Sequence, residues 1–451
     1  MNADNSSTES TGSRPFPGGT WHGTIETERG ELAWVVHLHH DEDGLEAIAD
    51  LPMRQGIRLA DAACEGDMLR FRSQTLGEFH GRISSDGQAI NGAIHPPGRL
   101  YPAKLEHGAP PVRTMARPQQ PKPPFDYHVE EVRFAGAAPD VLLAGTLVRP
   151  SHPRAAVVLV TGSGALDRDE TAFGHKPFHV LADYLAQRGY AVLRVDDRGV
   201  GASTGSRDGI TMADEAADAA LAVGYLRQRH DLRGLAVGLI GHSTGGLVAT
   251  MVAVDQGEAV FVVSLAGPGH RLGEELTLRE CAELARMGRS AGDISRYATF
   301  ARALREHVGD LPAEAVIQAA DIVGIGVATS ASNAAIAHFS GEASLRQLNL
   351  PWFRHAYRLD PAPLLRRLRV PYLAMTGALD TQVIAASSLA RMREALAAHS
   401  DAEVIELPGL NHLFQHCSSG SPLEYAQIEE TFSPSALERL TDWLDQRFGC
   451  G

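Results

Sequence analysis

Serine, aspartate and histidine recur along this chain at spacings that could do acyl chemistry. The pattern Gly-x-Ser-x-Gly, which in many hydrolases marks a serine nucleophile on a sharp turn, occurs twice: "GASTG" at 201–205 and "GHSTG" at 241–245. With 45 glycines in 451 residues the pattern by itself has little weight, so context must separate the two. Ser243 directly follows an apolar strand, "LAVGLIG", and directly precedes an apolar helix, "GGLVATMVAV", the strand-turn-helix setting that a nucleophile elbow requires. Gly241 and Gly245 suit such a turn because a side chain at either would collide with the flanking strand or helix. Ser203 lies several residues beyond its strand, inside "DDRGVGASTGSRDG", where ordinary loop chemistry is expected.

A serine hydroxyl at neutral pH needs a histidine to take its proton and a carboxylate to orient that histidine. Asp380, in "GALDTQV" after the strand "PYLAMTG", and His412, in "GLNHLFQ" after "AEVIELPG", supply both in the order Ser, Asp, His. The bland alternatives are that Asp380 caps the next helix and that His412 is one polar residue among 20 histidines; Asp360 and His416 are the nearest rivals. Two amides are expected to hold the developing oxyanion: Thr244 N–H, next to the nucleophile, and Ser163 N–H, in "VTGSGALDRDE". That loop is not a dinucleotide fingerprint, since position 167 is Asp and not Gly, and "GVGASTG" has no helix to offer a phosphate. No cofactor is expected.

These residues need a scaffold. From about Tyr127 onward apolar strands alternate with helical stretches such as "KPFHVLADYLAQRG", which implies a mostly parallel sheet with helices on both faces. The expected strands are 155–160, 191–197, 235–241, 259–267, 371–377 and 402–409. The stretch of about a hundred residues at 269–368 is mostly helical in pattern and reads as a cap inserted over the carboxyl edge of the sheet. Residues 19–107 instead show short alternating segments with turn signals at Asp43-Gly44, Asp86-Gly87 and Asn91-Gly92, a small antiparallel β-barrel or sandwich. Residues 1–18 read as a disordered tail, 108–124 as a proline-rich linker, and 125–451 as the catalytic domain.

Composition narrows the class. A net charge of −14 argues against nucleic acid or an anionic membrane as partner, and no apolar run approaches a membrane span. The polar start does not look like a secretory signal, and Cys64, Cys281, Cys417 and Cys450 are too scattered for a zinc site or a disulfide framework, so a reducing cytoplasm is expected. "HLHHDED" at 37–43 superficially resembles a metal site but reads as a strand end and turn; no metal is expected. "DDRGVG" at 196–201 reads as a turn held by Asp–Arg pairing.

The motifs "GSGALDRDE", "GHKPFHVLADYLAQRGYAVLRVDDRGVGAST", "LIGHSTGG", "PWFRHAYRLDPAPLL", "GALDTQV" and "GLNHLFQ" together resemble the bacterial α/β-hydrolase esterases related to dienelactone hydrolase and the S9-type peptidases, over about residues 125–450. The resemblance implies an α/β-hydrolase fold and a carboxylesterase with Ser243, Asp380 and His412 as triad, preceded by a small β module. Two departures fall around the expected oxyanion site: Thr244, beside the nucleophile, where the family usually has glutamate, and Ala165-Leu166, in the loop, where it usually has Pro-Gln.

The expected activity is therefore hydrolysis of a small-molecule carboxylic ester, lactone or thioester through an acyl-enzyme on Ser243. An acyltransferase or cyclase would use the same acyl-serine, and the less polar loop leans that way. A non-catalytic binding protein on a hydrolase scaffold is disfavoured by the complete set Ser, Asp, His. A peptidase is disfavoured because 85-odd residues are too few for a propeller. The β module is a candidate docking or dimerisation element, so a homodimer stands open.

Overall fold

The computed structural model describes residues 18–27, 30–41, 44–51, 54–73, 76–96, 99–110, 115–257, 259–312 and 315–449. The expected tail, the Asp43 side of the first turn signal, residues 111–114 of the linker and Cys450 lie outside them. Two compact units divide the chain at Thr114.

The first unit is a closed up-and-down barrel of eight strands: β1 (Gly19–Thr27), β2 (Gly30–Asp41), β3 (Gly44–Leu51), β4 (Arg54–Glu65), β5 (Met68–Ser73), β6 (Gly77–Ile83), β7 (Ala89–His95) and β8 (Tyr101–His107). Neighbours are antiparallel, and β8 returns to β1, so no strand edge is left unpaired. Alternation does the sorting. In β5, Leu69, Phe71 and Ser73 face in while Arg70 and Arg72 face out. The lumen is filled by Trp21, Trp34, Phe71 and Phe79, the last two stacked at 4.6 Å. Asp86-Gly87 makes its turn, with Asp86 Oδ1 accepting from Ser84 Oγ and Gln88 N. Asn91-Gly92 does not: it lies within β7, opposite Arg82 and Gly81. Its glycine is there because strands crowd, for a Cβ on Gly92 would stand 2.2 Å from His80 O. In the "HLHHDED" stretch, the His37 ring is bonded to Thr20 Oγ1 and Asp50 Oδ2.

The second unit is built on an eight-stranded mixed sheet in the order β16-β15-β14-β13-β11-β12-β10-β9. Its strands are β9 (His128–Ala135), β10 (Leu142–Arg149), β11 (Ala155–Val160), β12 (Tyr190–Val195), β13 (Val237–His242), β14 (Val262–Leu265), β15 (Tyr372–Gly377) and β16 (Ala402–Leu407). From β12 to β16 the strands run parallel, whereas β9 and β10 form an antiparallel hairpin at one edge. The sequence reading found six of these strands and missed that hairpin. Six of the eight residues of β9 are exposed, so its pattern is polar and does not announce a core strand.

Successive residues of each central strand serve opposite faces. Val157 and Val192 pack with α1 (Pro177–Gln187), and Val158 and Leu193 pack with α2 (Met212–Gln228) and α3 (Thr244–Met251), which ends in a π turn at Val252–Gln256. Between β14 and β15 comes the expected helical insertion: α4 (Leu272–Arg286), α5 (Ala291–Asp310), α6 (Ala319–Ala328), α7 (Asn333–Ser340), α8 (Glu342–Leu348), α9 (Pro351–Arg358) and α10 (Pro361–Arg367). The insertion has its own core of Phe300, Leu304, Val308, Phe339 and Tyr357, while Leu364 and Leu365 of α10 belong to the sheet's core. The sheet is completed on its two faces by α11 (Ala385–Ala395) and α12 (Pro434–Phe448), the latter burying Leu440 and Trp443 on the α1 side.

The proline-rich stretch is not free along its length. Arg117 donates to the carbonyls of Phe173, Gly174, Ala426 and Ile428, and Gln119 bonds Thr431 and Phe432, so residues from 115 on are strapped to the second unit.

Candidate active site

Ser243 sits between β13 and α3 with φ 52° and ψ −127°, a conformation that non-glycine residues seldom hold. The surroundings enforce it. Ser243 N donates to Leu265 O at 2.8 Å, and Gly246 N donates back to Ser243 O at 3.0 Å. A Cβ on Gly241 would lie 2.1 Å from Gly245 O, and one on Gly245 would lie 2.3 Å from Val160 O, so only glycine lets the strand, the turn and β11 approach this closely. The side chain is left partly exposed at the positive end of α3.

Asp380 and His412 arrive from the loops after β15 and β16. His412 Nδ1 lies 2.7 Å from Asp380 Oδ2, both groups buried. The other carboxylate oxygen, Oδ1, accepts from Gln382 N and Val383 N. Asp380 therefore does cap the following turn, and it orients the histidine as well. The two loops approach closely because residue 377 is glycine: a Cβ there would stand 2.3 Å from Leu410 O. Among the described residues no hydrogen bond joins Ser243 Oγ to His412, and such contacts are often long before substrate binds. The two are linked through the backbone instead, since the ring of His242, next to Ser243, bonds the His412 carbonyl at 2.9 Å.

The rivals are otherwise employed. Asp360 caps α10 and takes both of its oxygens to Arg391, while exposed His416 pairs with Glu430. Ser203 is buried, donating to Asp196 O and accepting from Ala144 N, both at 2.8 Å. The turn at 196–201 is held by Asp–Arg pairs, but with partners from outside it: Asp196 with Arg168, and Arg198 with Asp218. A Cβ on Gly201 would lie 2.5 Å from Asp196 Oδ2, so the turn closes tightly on that carboxylate.

On the oxyanion side, Gly162 packs beside the nucleophile, an added Cβ standing 3.2 Å from Ser243 Cβ. Its amide is already bound to Glu170 Oε1 at 2.8 Å. Ser163 is exposed, and its amide and that of buried Thr244 have no partner among the described residues. Leu166, one of the departures from the family pattern, is half-buried, and its amide donates to Asp197.

Sequence reasoning missed two residues. Glu170 is 4 % exposed and its Oε1 also meets His242 Nδ1 at 3.0 Å. The signal for both was adjacency alone, since His242 precedes the nucleophile and Glu170 closes "GSGALDRDE". Burial pushes the His242 imidazole down, but the charge and hydrogen bond of Glu170, the His412 carbonyl and the charge of Asp380 outweigh it and hold it above its ordinary value.

A sheet of this order, with a glycine-flanked serine elbow and an Asp–His pair at its carboxyl edge, defines an α/β-hydrolase. The profile of the alpha/beta hydrolase family matches residues 157–428, and the chain belongs to that family. Esterase EstD of Thermotoga maritima is 26% identical over 300 residues, 66% of this chain and 64% of that protein, so the match spans less than two thirds of the relative. Among solved structures, an esterase of Pyrococcus furiosus matches at TM-score 0.44 and 15% identity, covering 72% of this chain and 92% of its own. A dienelactone hydrolase of Anabaena variabilis matches at 0.41 and 16%, covering 71% and 98%. Among the described residues no helix is long and apolar enough to cross a membrane.

Proposed function

We propose that the protein hydrolyses a carboxylic ester of a small molecule through an acyl-enzyme on Ser243. The observation that carries this reading is the pairing of His412 Nδ1 with Asp380 Oδ2 beside a serine held in a strained elbow. Asp380 accepts a hydrogen bond from the Nδ1–H of His412, which leaves Nε2 free to take the Ser243 proton as Oγ attacks the ester carbonyl. The amides of Thr244 and Ser163 face the oxygen that becomes negative, and the positive end of α3 adds to their effect. His412 then returns its proton to the leaving alkoxide, and water, activated by the same imidazole, releases the acid. The reaction needs nothing beyond these side chains, two amides and water. The relation to an esterase agrees with it. Cys64, Cys281 and Cys417 are free thiols, which suits a reducing cytoplasm.

The test is turnover of p-nitrophenyl acetate and butyrate by the wild type and by Ser243→Ala. The wild type is expected to hydrolyse them, and the variant to lose at least about 10⁴-fold. A wild type that releases one p-nitrophenol per chain and then stalls would redirect the acyl group to an acceptor other than water. A variant as active as the wild type would remove Ser243 from the mechanism.

A further inference from the structure

Behind the nucleophile lies a buried relay that the mechanism above does not use. Glu170 Oε1 accepts from Gly162 N at 2.8 Å and meets His242 Nδ1 at 3.0 Å, and His242 Nε2 meets His412 O at 2.9 Å. A backbone carbonyl accepts only, so Nε2 must carry a proton. Facing an ionised Glu170, whose oxygens accept only, Nδ1 carries one too. A doubly protonated ring would face Glu170 with one N–H and the backbone of His412 with the other, and the charge and hydrogen bond of Glu170 favour that form. Three segments meet on this pair: the 162–163 loop, the elbow, and the loop that carries His412. Glu170 itself is held at φ 53°, a strained conformation for a residue with a side chain, at which the fold keeps its carboxyl aimed inward.

We infer that Glu170 and His242 are positioning residues that act as one ion pair, fixing the Ser163 amide and the His412 loop about Ser243 and presenting the cationic end of the pair to the catalytic imidazole. This rests on the hydrolase reading given above. The rings of His242 and His412 are 4.8 Å apart. The other groups whose charge reaches this cluster are few. Asp380 acts on His242 from across His412, and Glu275, Tyr425 and Cys417 feel Asp380 in turn. Asp169, next to Glu170 in the chain, is taken by Lys176 and Arg194, and the uncharged ring of Phe414 stands 6.5 Å from that of His242.

The variant Glu170→Gln keeps the size of the side chain and an oxygen for Gly162 N, but removes the anion that holds the second proton on His242. It is expected to lower kcat about 10- to 100-fold with KM little changed, less than the loss of a direct oxyanion donor. Independently of turnover, ¹⁵N-histidine NMR of the wild type should show one ring with both N–H protons at about pH 8, above the ordinary imidazole range. That signal should vanish in His242→Gln and in Glu170→Gln. A wild type in which the His242 ring carries a single proton at that pH overturns the inference, and so does Glu170→Gln with wild-type kcat. The NMR reading stands even if Glu170→Gln fails to fold. Absence of any esterase turnover in the wild type would sink the hydrolase reading instead, leaving the proton count on His242 as a separate result.

Discussion

Two serines of this chain share the pattern Gly-x-Ser-x-Gly and do opposite things. Ser203 is spent on structure: its hydroxyl closes a loop between Asp196 O and Ala144 N and is almost wholly buried. Ser243 has its backbone bonded on both sides and its side chain left partly open beside the Asp–His pair. The glycines differ in the same sense. Those around Ser243 let a strand, a helix and a neighbouring strand meet at distances no Cβ tolerates, while Gly201 and Gly205 have positive φ in a loop packed on Asp196 and Arg198. A motif of this kind reports chemistry only when its residues are held in strain by the elements around it and the reactive atom is left without a structural partner.

The contrast can be broken at several points. Ser243→Ala should remove at least about 10⁴-fold of ester turnover with the fold intact, measured as kcat/KM beside a melting curve. Asp380→Asn should cost roughly 10³- to 10⁴-fold, because the amide leaves His412 in the wrong tautomer, and kcat should fall far more than KM rises.

At the other serine the effects move from rate to stability. The Asp196 carboxyl is pushed up by burial, but Arg168 and the amides of Ala202 and Arg168 more than offset this and hold it below its ordinary value. The folded chain therefore binds that proton less tightly than the unfolded chain, so the stability Asp196 contributes is present above about pH 4 and is lost as pH falls below it. Asp196→Asn should cost about 3 kcal/mol at pH 7, and the difference from wild type in denaturant titrations should shrink as the solution is acidified through that range. Ser203→Ala should cost about 1 to 2 kcal/mol by stranding the Ala144 amide, and the folded fraction should keep its kcat. If Ser203→Ala instead lost turnover as Ser243→Ala does, the division between the two serines would be wrong.

Much of this was legible in the sequence where local pattern and tertiary demand agree. The apolar strands ending at Val160, at 241 and at 377 were visible, and the candidate residues follow from reading which side chain stands just past each strand end. The edge strand β9 was not, because it keeps a polar outer side and its burial depends on a partner that the local sequence does not name. Asn91-Gly92 carries a turn signal because that dipeptide tolerates one; in the barrel the same glycine answers to crowding between strands. Arg117 sits in a proline-rich run that looks like a spacer, yet its guanidinium collects four carbonyls far away in sequence. Glu170 was hidden for a related reason. Nothing in "LDRDE" says which of its acids turns inward, and only the φ of 53° and the position of Gly162 decide it.

The most direct test of the central claim is intact-mass and peptide-level mass spectrometry after exposure to a fluorophosphonate, on the wild type, Ser243→Ala and Ser203→Ala. Activated serines react with this probe and ordinary hydroxyls do not. The account predicts one adduct per chain on the peptide containing Ser243, retained in Ser203→Ala and absent in Ser243→Ala. An unlabelled wild type, or an adduct that survives in Ser243→Ala, would contradict it.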